Sequence, residues 1–291
     1  MVSRDQAAGV SSSRLPLPRT VILRPIKGWA PLNWRDLMDF RELTYFLTWR
    51  NIKVRYKQTL LGASWAILEP FLTMVVFSIF FGNLAQVGSD GVPYPLFSFA
   101  GLLPWGLFSK ALNDASRSLV NNRHMITKIY FPRLILPLSS ILSGLVDFAI
   151  ALVVLLGMML YYETLPTAAA WWLPLLLLLA LVTALGVGLW LAALNVMYRD
   201  VGYIIPFLTQ FWMFITPVVY PASLIPEKWR LLYGINPMTG VVEGFRWALL
   251  GIQPQPTFWP MLGISTGVAL LLLISGLFYF RRMERLFADM V

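Results

Sequence analysis

Cysteine is absent from the 291-residue sequence, and histidine occurs once, at His124. The first absence excludes a disulfide framework and a thiolate metal site, and the second excludes a cluster of imidazole metal ligands. Charge is also scarce, since charged residues make up 13% of the chain against about 25% in soluble domains. Fourteen acidic residues cannot cover the surface of a water-soluble protein of this size. A soluble globular protein is therefore excluded.

The sequence also lacks the motifs that bind and hydrolyse nucleotides. It contains no G-x-x-x-x-G-K-[ST] and no G-x-G-x-x-G that opens a helix after a strand. A Ser-His-Asp triad cannot be assembled around one loop histidine. We therefore expect no catalytic residues, no metal site and no cofactor in this chain. If it moves a substrate uphill, the energy must come from a partner.

Hydrophobic residues make up 58% of the chain, and the mean hydropathy is +0.68. They form uncharged stretches close to the length of about 20 residues that crosses a bilayer as a helix. The second stretch is short, and we expect its helix to continue past Lys110, whose long side chain can reach the interface. The sequence predicts an all-α polytopic membrane protein with six transmembrane helices, at residues 65–84, 96–109, 134–161, 172–197, 202–220 and 261–280.

Lysine and arginine are abundant in every second loop. Eleven precede the first predicted span and five lie in 110–133, whereas 85–95 and 162–171 contain none. Twenty of the 23 cations fall in alternate segments, and cytoplasmic segments carry such an excess. We therefore expect both termini in the cytoplasm, and we assign the net charge of +9 to membrane topology rather than to nucleic-acid binding.

Two segments precede the first span. Residues 1–35, rich in Ser, Pro and Arg, predict a mostly extended cytoplasmic arm. Residues 36–62 predict a basic amphipathic interface helix at the inner membrane face. This helix is either an anchor on anionic lipid or a docking element for a soluble partner. Its charge comes from Arg50, Lys53 and Arg55, and its apolar residues form two faces, Phe40, Leu43, Leu47 and Val54 on one and Tyr45, Trp49, Ile52 and Tyr56 on the other.

The loop after the second span contains a short predicted helix. Asn121 and Asn122 are candidate N-caps, and the run 131–133, Phe-Pro-Arg, ends the helical pattern. A two-turn helix between two spans has no core of its own to bury. It is therefore either packed on a partner outside the membrane or part of a tight solvated loop with ordinary cytoplasmic cations.

The loop before the last span is long and apolar, and several prolines interrupt it. Two short helices, at 224–233 and 238–250, are predicted within it. Apolar segments of about 10–14 residues are often re-entrant, so we expect this hairpin to dip back into the membrane and line an exit. Glu243 and Arg246 are spaced to face each other. They form either a salt bridge that stabilises the hairpin or a contact with the substrate.

Two acidic residues lie inside predicted spans. Asp147 is near the middle of the third span, where a carboxylate costs about 2.5 kcal/mol or more. It either lines a translocation route or bonds to Ser, Thr or backbone on a neighbouring helix. Glu69 is close enough to the cytoplasmic end of the first span to reach interfacial water. A proton-coupled carrier would use these two acids, but such carriers usually need a longer relay.

The fifth span carries aromatic residues on one face. At 100° per residue they fall within a sector of about 80°. Such a face usually packs on helices or lipid, and the alternative is a channel wall along which the C–H faces of sugars can slide. The residues of this face are Tyr203, Phe207, Phe211 and Phe214, with Gln210 beside them.

Several runs together resemble the ABC-2 type polysaccharide exporter permeases, and this similarity covers nearly everything after about residue 20. The N-terminal run is YFLTWRNIKVRYKQTLLG at 45–62, followed by WAILEP at 65–70. Further matches are GLLPW at 101–105, Asn121-Asn122, KIYFPR at 128–133, YRD at 198–200, Phe211-Trp212, TPV at 216–218, and Asn236-Pro237 with Glu243 and Arg246.

This resemblance implies a homodimer of six-span subunits in the bacterial inner membrane. Each subunit would bind a separate ATPase subunit, two copies in all, that holds ATP and Mg. The exported substrate would be a lipid-linked polysaccharide. By position, residues 121–130 would be the coupling helix, 222–250 the re-entrant hairpin, and 63–291 the transmembrane domain. The ATPase-coupling residues would be Asn121, Asn122, Arg123, His124, Lys128, Tyr130, Arg50, Lys53 and Arg55.

The substrate path implied by these assignments combines the aromatic face with the two intramembrane acids. The long arm and the interface-helix run resemble O-antigen exporters most, with capsule and teichoic acid exporters as alternatives in the same class. From a different class, an ion- or proton-coupled secondary carrier remains open. The path residues are Tyr203, Phe207, Gln210, Phe211, Phe214, Asp147 and Glu69, and the hairpin residues are Asn236, Pro237, Glu243 and Arg246.

Overall fold

A computed structural model describes residues 34–57, 64–285 and 287. The predicted arm lies outside these residues except for its last two, where the first helix begins. All regular secondary structure in the described ranges is helical, which confirms the predicted all-α class. The α-helices in chain order are α1 (Trp34–Asp39), α2 (Arg41–Tyr56), α3 (Ser64–Phe77), α4 (Tyr94–Asn121), α5 (Arg123–Ile126), α6 (Ile135–Tyr161), α7 (Leu173–Met197), α8 (Val201–Ile215), α9 (Glu227–Tyr233), α10 (Pro237–Leu250) and α11 (Phe258–Met283).

Short segments of other helix types extend this set. A π-helix, Ser78–Leu84, continues α3, and two 3₁₀-helices, Ala168–Trp172 and Ala222–Leu224, precede α7 and α9. With these extensions, four described helical segments are long and apolar enough to cross a membrane. They are Ser64–Leu84, Ile135–Tyr161, Ala168–Met197 and Phe258–Met283.

The helices that correspond to the second and fifth predicted spans have a different character. Helix α4 has 28 residues and continues past Lys110, as predicted, but its second half also carries Asp114 and Arg117. Helix α8 has 15 residues and ends at Ile215 rather than near residue 220. Pro217 therefore follows α8 instead of kinking it, while Pro206 lies inside the helix.

Helix α4 lies at the centre of the helical assembly. It packs along α6 and α7, and its side chains, from Leu96 and Phe97 to Leu119, are largely buried. Polar groups at membrane depth are stable where protein covers them. Among the membrane-length helices, α4 has the largest share of polar residues, and its neighbours enclose it.

Helices α7 and α11 cross at two glycines. A Cβ atom on Gly276 would overlap the carbonyl oxygen of Gly186, and one on Gly186 would lie 2.6 Å from the backbone nitrogen of Leu273. Small residues at such a crossing allow the backbones of membrane helices to approach closely. The contact between α7 and α11 therefore depends on the absence of side chains at both positions.

We expect Gly276→Ala to destabilise the protein by about 1–3 kcal/mol, because the added methyl group must separate two backbones. Gly267→Ala is the matched control, since nothing lies within 4 Å of a Cβ atom at that position on the same helix. The midpoint of thermal unfolding in detergent should fall for Gly276→Ala and remain unchanged for Gly267→Ala. Equal midpoints would contradict the close crossing.

The described part of the predicted interface helix forms two helices rather than one, and residues 58–62 of the prediction lie outside the described ranges. A turn at Phe40 separates α1 from α2, and α2 packs against α6. Leu47 is buried, with Phe40 and Leu43 packed beside it. Val54, predicted on the same face, is 71% exposed. The last turn of α2 directs Arg55 and Tyr56 toward α6, so the residue before them faces away.

The predicted helix in the loop after α4 is shorter than expected. Asn121 ends α4, and α5 has four residues. Asn122 stands at the N-cap position but does not cap α5: its side-chain oxygen accepts a 2.6 Å hydrogen bond from Arg50, and its amide donates 2.7 Å to the carbonyl oxygen of Ser118. The expectation that this loop has no core of its own was also wrong. Its Ile126 and Phe131 are buried in a loop-side cluster with Leu47, Leu119, Leu134, Ile135, Leu136, Leu189, Ala192, Ala193, Val196, Phe280, Met283 and Phe287.

The hairpin before α11 contains the two short helices that the sequence predicts, here α9 and α10. The side chain of Asn236 accepts a 3.2 Å hydrogen bond from the backbone N–H of Met238, and Pro237 occupies the first turn of α10. Gly251 ends α10 in the left-handed conformation, with φ of 69°. Asparagine and proline at the start and glycine just past the end of a helix are local signals that fix its boundaries.

Candidate functional site

Helices α3, α4, α6 and α8 line a cavity of about 680 Å³. Its walls are largely apolar and aromatic, with Phe77, Trp105 and Phe148 among them, and a few polar side chains converge on it. This combination is typical of ligand-binding cavities. The polar lining comprises Glu69, Thr73, Ser109, Lys110, Asn113, Asp147, Thr209 and Gln210.

The cavity contains four of the seven predicted path residues. They are Glu69, Asp147, Gln210 and Phe214. Tyr203, Phe207 and Phe211 do not line it. They lie on the exposed face of α8, where they are 84%, 69% and 57% exposed.

The exposed face of α8 is an aromatic ladder. The rings of Phe207 and Phe211 are nearly parallel, with centroids 6.5 Å apart and an interplanar angle of 15°. Trp212 points away from this face and packs edge-on against Phe108 with centroids 5.1 Å apart. Ile205 and Thr209 form the buried side of the helix. Helix α8 therefore presents flat aromatic surface on one side while its opposite side holds it to the protein.

Asp147 is held by two cations and a tyrosine rather than by the Ser, Thr or backbone groups that the sequence suggested. Its Oδ2 lies 2.5 Å from Nη1 of Arg55 and 2.6 Å from Nζ of Lys110. The phenol of Tyr56 donates a hydrogen bond to Oδ1. The second terminal nitrogen of Arg55 lies 2.6 Å from Oδ2 of Asp114. Three helices, α2, α4 and α6, thus meet at one ionic cluster.

Tyr56 is the neutral member of this cluster. Burial raises the pKa of its phenol to about 12, and the hydrogen bond to Asp147 acts in the same direction. The phenol therefore stays protonated at physiological pH and remains a hydrogen-bond donor. A protonated donor suits a carboxylate that is already charged and paired.

Sequence reasoning missed Lys110, Asp114 and Tyr56 as members of this cluster. Lys110 and Asp114 are spaced i, i+4 within a long apolar helix. Ionisable residues at membrane depth usually pair with one another, so their spacing was the available signal. Arg55, predicted to contact an ATPase, instead faces inward to this cluster.

Arg246 is fully buried among polar and aromatic partners. Its guanidinium lies 3.0 Å from the Glu243 carboxylate, and it donates to the carbonyl oxygens of Pro217 and Val218 at 2.6 Å each. Weaker bonds reach the carbonyls of Phe97 and Tyr220, and the guanidinium stacks 3.6 Å from the ring of Phe97. The salt bridge that the sequence suggested is present, and Arg246, at 1% exposed, offers no surface to a substrate.

The hairpin is also tied to the end of α8 through Asn236. Its side-chain amide donates 2.8 Å to the hydroxyl of Thr216, and its side-chain oxygen accepts 3.0 Å from the indole of Trp212. Together with the contacts of Arg246, these two hydrogen bonds hold the end of α8 and the turn after it against α10. The predicted hairpin residues Asn236, Pro237, Glu243 and Arg246 therefore lie at a joint between helices.

Most of the predicted coupling residues form an exposed surface on the loop between α4 and α6. Ile129, next to them, is 60% exposed. Arg50 on α2 donates 2.6 Å to the side-chain oxygen of Asn122, which joins the two predicted docking elements. Lys53 is exposed and lies 5.5 Å from the ring of Trp49. The other exposed members are Asn121, Arg123, His124, Lys128 and Tyr130.

The described part of the chain is helical wherever it is regular, and its four membrane-length apolar segments indicate a multi-pass membrane protein. Residues 42–250 match the family model described as ABC-2 type transporter, and the chain belongs to the ABC-2 type transporter family. This confirms the resemblance seen in the sequence.

Curated relatives extend this similarity over most of the chain. It is 32% identical over 254 residues to the O-antigen export system permease protein RfbA of Myxococcus xanthus, covering 86% of this chain and 96% of that protein. It is 25% identical over 251 residues to an RfbA of Klebsiella pneumoniae, covering 86% and 95%. It is 25% identical over 206 residues to the polysialic acid transport protein KpsM of Escherichia coli, covering 69% and 78%.

Proposed function

We propose that this chain is the membrane-spanning permease of an ATP-driven exporter that moves a lipid-linked polysaccharide of the O-antigen type across the inner membrane. The observation that carries this proposal is the similarity to a protein named as an O-antigen export permease. The two chains are 32% identical, and the match covers 96% of that protein. Deleting the chain in its host should make lipid-linked polysaccharide accumulate inside the cell. Normal surface polysaccharide after deletion would contradict the proposal.

The proposed topology has six spans with both termini in the cytoplasm. Helix α4 is the second span, since 28 residues extend about 42 Å and neighbouring helices cover its polar groups. Helix α8 extends only about 22 Å, so the buried segment 216–219 completes the fifth span. Helices α9 and α10 form the re-entrant hairpin at the outer mouth.

The proposed active unit is a homodimer with a channel at its seam. In a single chain the aromatic ladder on α8 is exposed, and Gln210 and Phe214 join it to the cavity. A second copy facing this side would enclose both surfaces. A polymer longer than the bilayer is thick is easier to move through a continuous channel than through an occluded cavity.

The energy source in this proposal is a separate ATPase that binds ATP and Mg, with one copy on each permease subunit. The exposed loop surface around Arg123, Lys128 and Tyr130, joined to α2 through the Arg50 to Asn122 bond, supports docking there. Helix α2 would be the interface helix and the loop segment 121–130 the coupling element.

We expect the double variant Arg123→Glu and Lys128→Glu to lose the ATPase during co-purification. A surface of the ATPase that binds Arg123 and Lys128 would be negatively charged. Glutamate at these two positions would repel it, and such like-charge contacts cost several kcal/mol at an interface. Export should fall about tenfold or more. Lys228→Glu, an exposed position on the far hairpin helix α9, is the control and should retain both properties. Undiminished co-purification of the ATPase with the double variant would rule out docking through this loop.

Two alternatives receive different support. A capsule-type polymer is the second candidate substrate, because the chain also resembles a protein named for polysialic acid transport. None of the three relatives described above is named for teichoic acid export. The ion- or proton-coupled carrier loses its main residue, since both carboxylate oxygens of Asp147 have partners.

A further inference from the structure

We propose that Arg55, Lys110, Asp114 and Asp147 form an ionic bridge that fixes α2 to α4 and α6, so that a displacement of α2 reaches the transmembrane helices. We treat them as positioning residues, because their charges pair with one another within the chain. The inference rests on the proposed function, because it takes α2 to be the helix that an ATPase moves.

Arg55 is the centre of the bridge because its two terminal nitrogens bind carboxylates on two different helices. Nη1 lies 2.5 Å from Asp147 on α6, and Nη2 lies 2.6 Å from Asp114 on α4. A guanidinium holds its two donors in a rigid planar fork, whereas an ammonium is a single point charge. The bridge between α2 and both other helices therefore requires arginine at this position.

Burial strengthens the Arg55 to Asp147 pair, whereas the side chains of Asp114 and Lys110 are 38% and 36% exposed. The side chain of Asp147 is 11% exposed and that of Arg55 is 22% exposed. Ion pairs on an open surface are weak and easily broken, but removing one member of a covered pair leaves the other charge without compensation. Asp147 has three donors, from Arg55, Lys110 and Tyr56, so the carboxylate is held from three directions.

The charge balance of the bridge argues against a role in binding cargo. Two cations face two carboxylates, so the cluster offers no excess charge to an anionic lipid headgroup or to a coupling cation. Both oxygens of Asp147 are engaged within the chain. The cluster therefore serves as a joint between helices rather than as a binding site.

The position of the bridge along α2 gives it a mechanical role. Near its middle, α2 is held by Leu47 in the loop-side cluster and by the Arg50 to Asn122 bond. At its end, Val54 is 71% exposed and contributes little packing. The ionic bridge, together with the Tyr56 to Asp147 hydrogen bond, thus attaches the last turn of α2 near the middle of α6.

Arg55→Gln tests the bridge in the purified complex with its co-purifying ATPase. We expect the variant to fold, to bind the ATPase and to keep its KM for ATP, while the amount of polymer exported per ATP falls about tenfold. Arg55→Lys should fall less, because it keeps one ion pair. Lys228→Gln removes one positive charge at an exposed position on α9, away from the docking surface, and should match the wild type. If Arg55→Gln fails to fold, Asp114→Asn at a more open position provides the same test.

The absence of cysteine allows a second readout on the permease alone. Spin labels at Val54→Cys and Val153→Cys, two exposed positions on α2 and α6, report the distance between these helices. We expect one narrow distance distribution with Arg55 present and a broad one with Arg55→Gln. An unchanged distribution, or export per ATP at the wild-type level, would each overturn the inference. If the wild type binds no ATPase, the proposed function fails instead, and the distances still show whether the bridge exists.

Discussion

Arg246→Met should destabilise the protein more than Gly276→Ala does. The substitution leaves the Glu243 carboxylate without its cation and the Pro217 and Val218 carbonyls without their donor. Removing one partner of a buried pair costs about 3–5 kcal/mol. We expect a large drop in the thermal unfolding midpoint in detergent and little folded protein in the membrane.

A second substitution, at Glu243, separates the effect of the unpaired charge from the effect of lost packing. Glu243→Gln in the Arg246→Met background removes the uncompensated carboxylate, so part of the lost stability should return. Arg282→Met, at an exposed position near the end of α11, is the control and should be close to neutral. A wild-type midpoint for Arg246→Met would show that the buried guanidinium does not hold the hairpin to α4 and α8.

Phe207→Leu combined with Phe211→Leu should reduce export without reducing assembly. Both rings are more than half exposed in the single chain, so leucine leaves the fold intact while removing two flat surfaces. Aromatic faces contribute about 0.5–1.5 kcal/mol each beyond their area, and two of them correspond to about a tenfold change in rate. Surface polysaccharide per assembled permease is the quantity to measure.

Leu208→Ala is the matched control for the aromatic ladder, since it is 45% exposed on the same helix but carries no ring. We expect it to export like the wild type. Comparable loss in Leu208→Ala would point to a general weakness of α8. Unchanged surface polysaccharide in the double leucine variant would remove the ladder from the substrate path.

The sequence was most informative where local rules act alone. Apolar runs predicted α6, α7 and α11 closely, and the short apolar run at 238–250 predicted α10. These signals depend on neighbours within one helix, so one sequence is sufficient to detect them. The i, i+3 spacing of Glu243 and Arg246 identified their salt bridge for the same reason.

The sequence was less informative where distant helices decide the outcome. The partners of Asp147 come from positions 91 to 92 residues earlier on α2 and from Lys110 on α4, and only the packing of three helices brings them together. For the same reason, the charge of Arg55 suggested an outward role, whereas its neighbours direct it inward. Hydropathy likewise could not define α4, because neighbouring helices cover its polar groups. It could not define the end of α8 either, because this apolar helix stops at Ile215, before the apolar run ends.

Reconstitution tests the central claim, that this chain is a permease without its own energy source. The purified chain is placed in liposomes with lipid-linked polysaccharide, alone or with its ATPase, ATP and Mg, and the polymer that reaches the far side is measured. We predict translocation only when the ATPase, ATP and Mg are all present. Translocation by the chain alone, at the same rate as the complex, would contradict the claim.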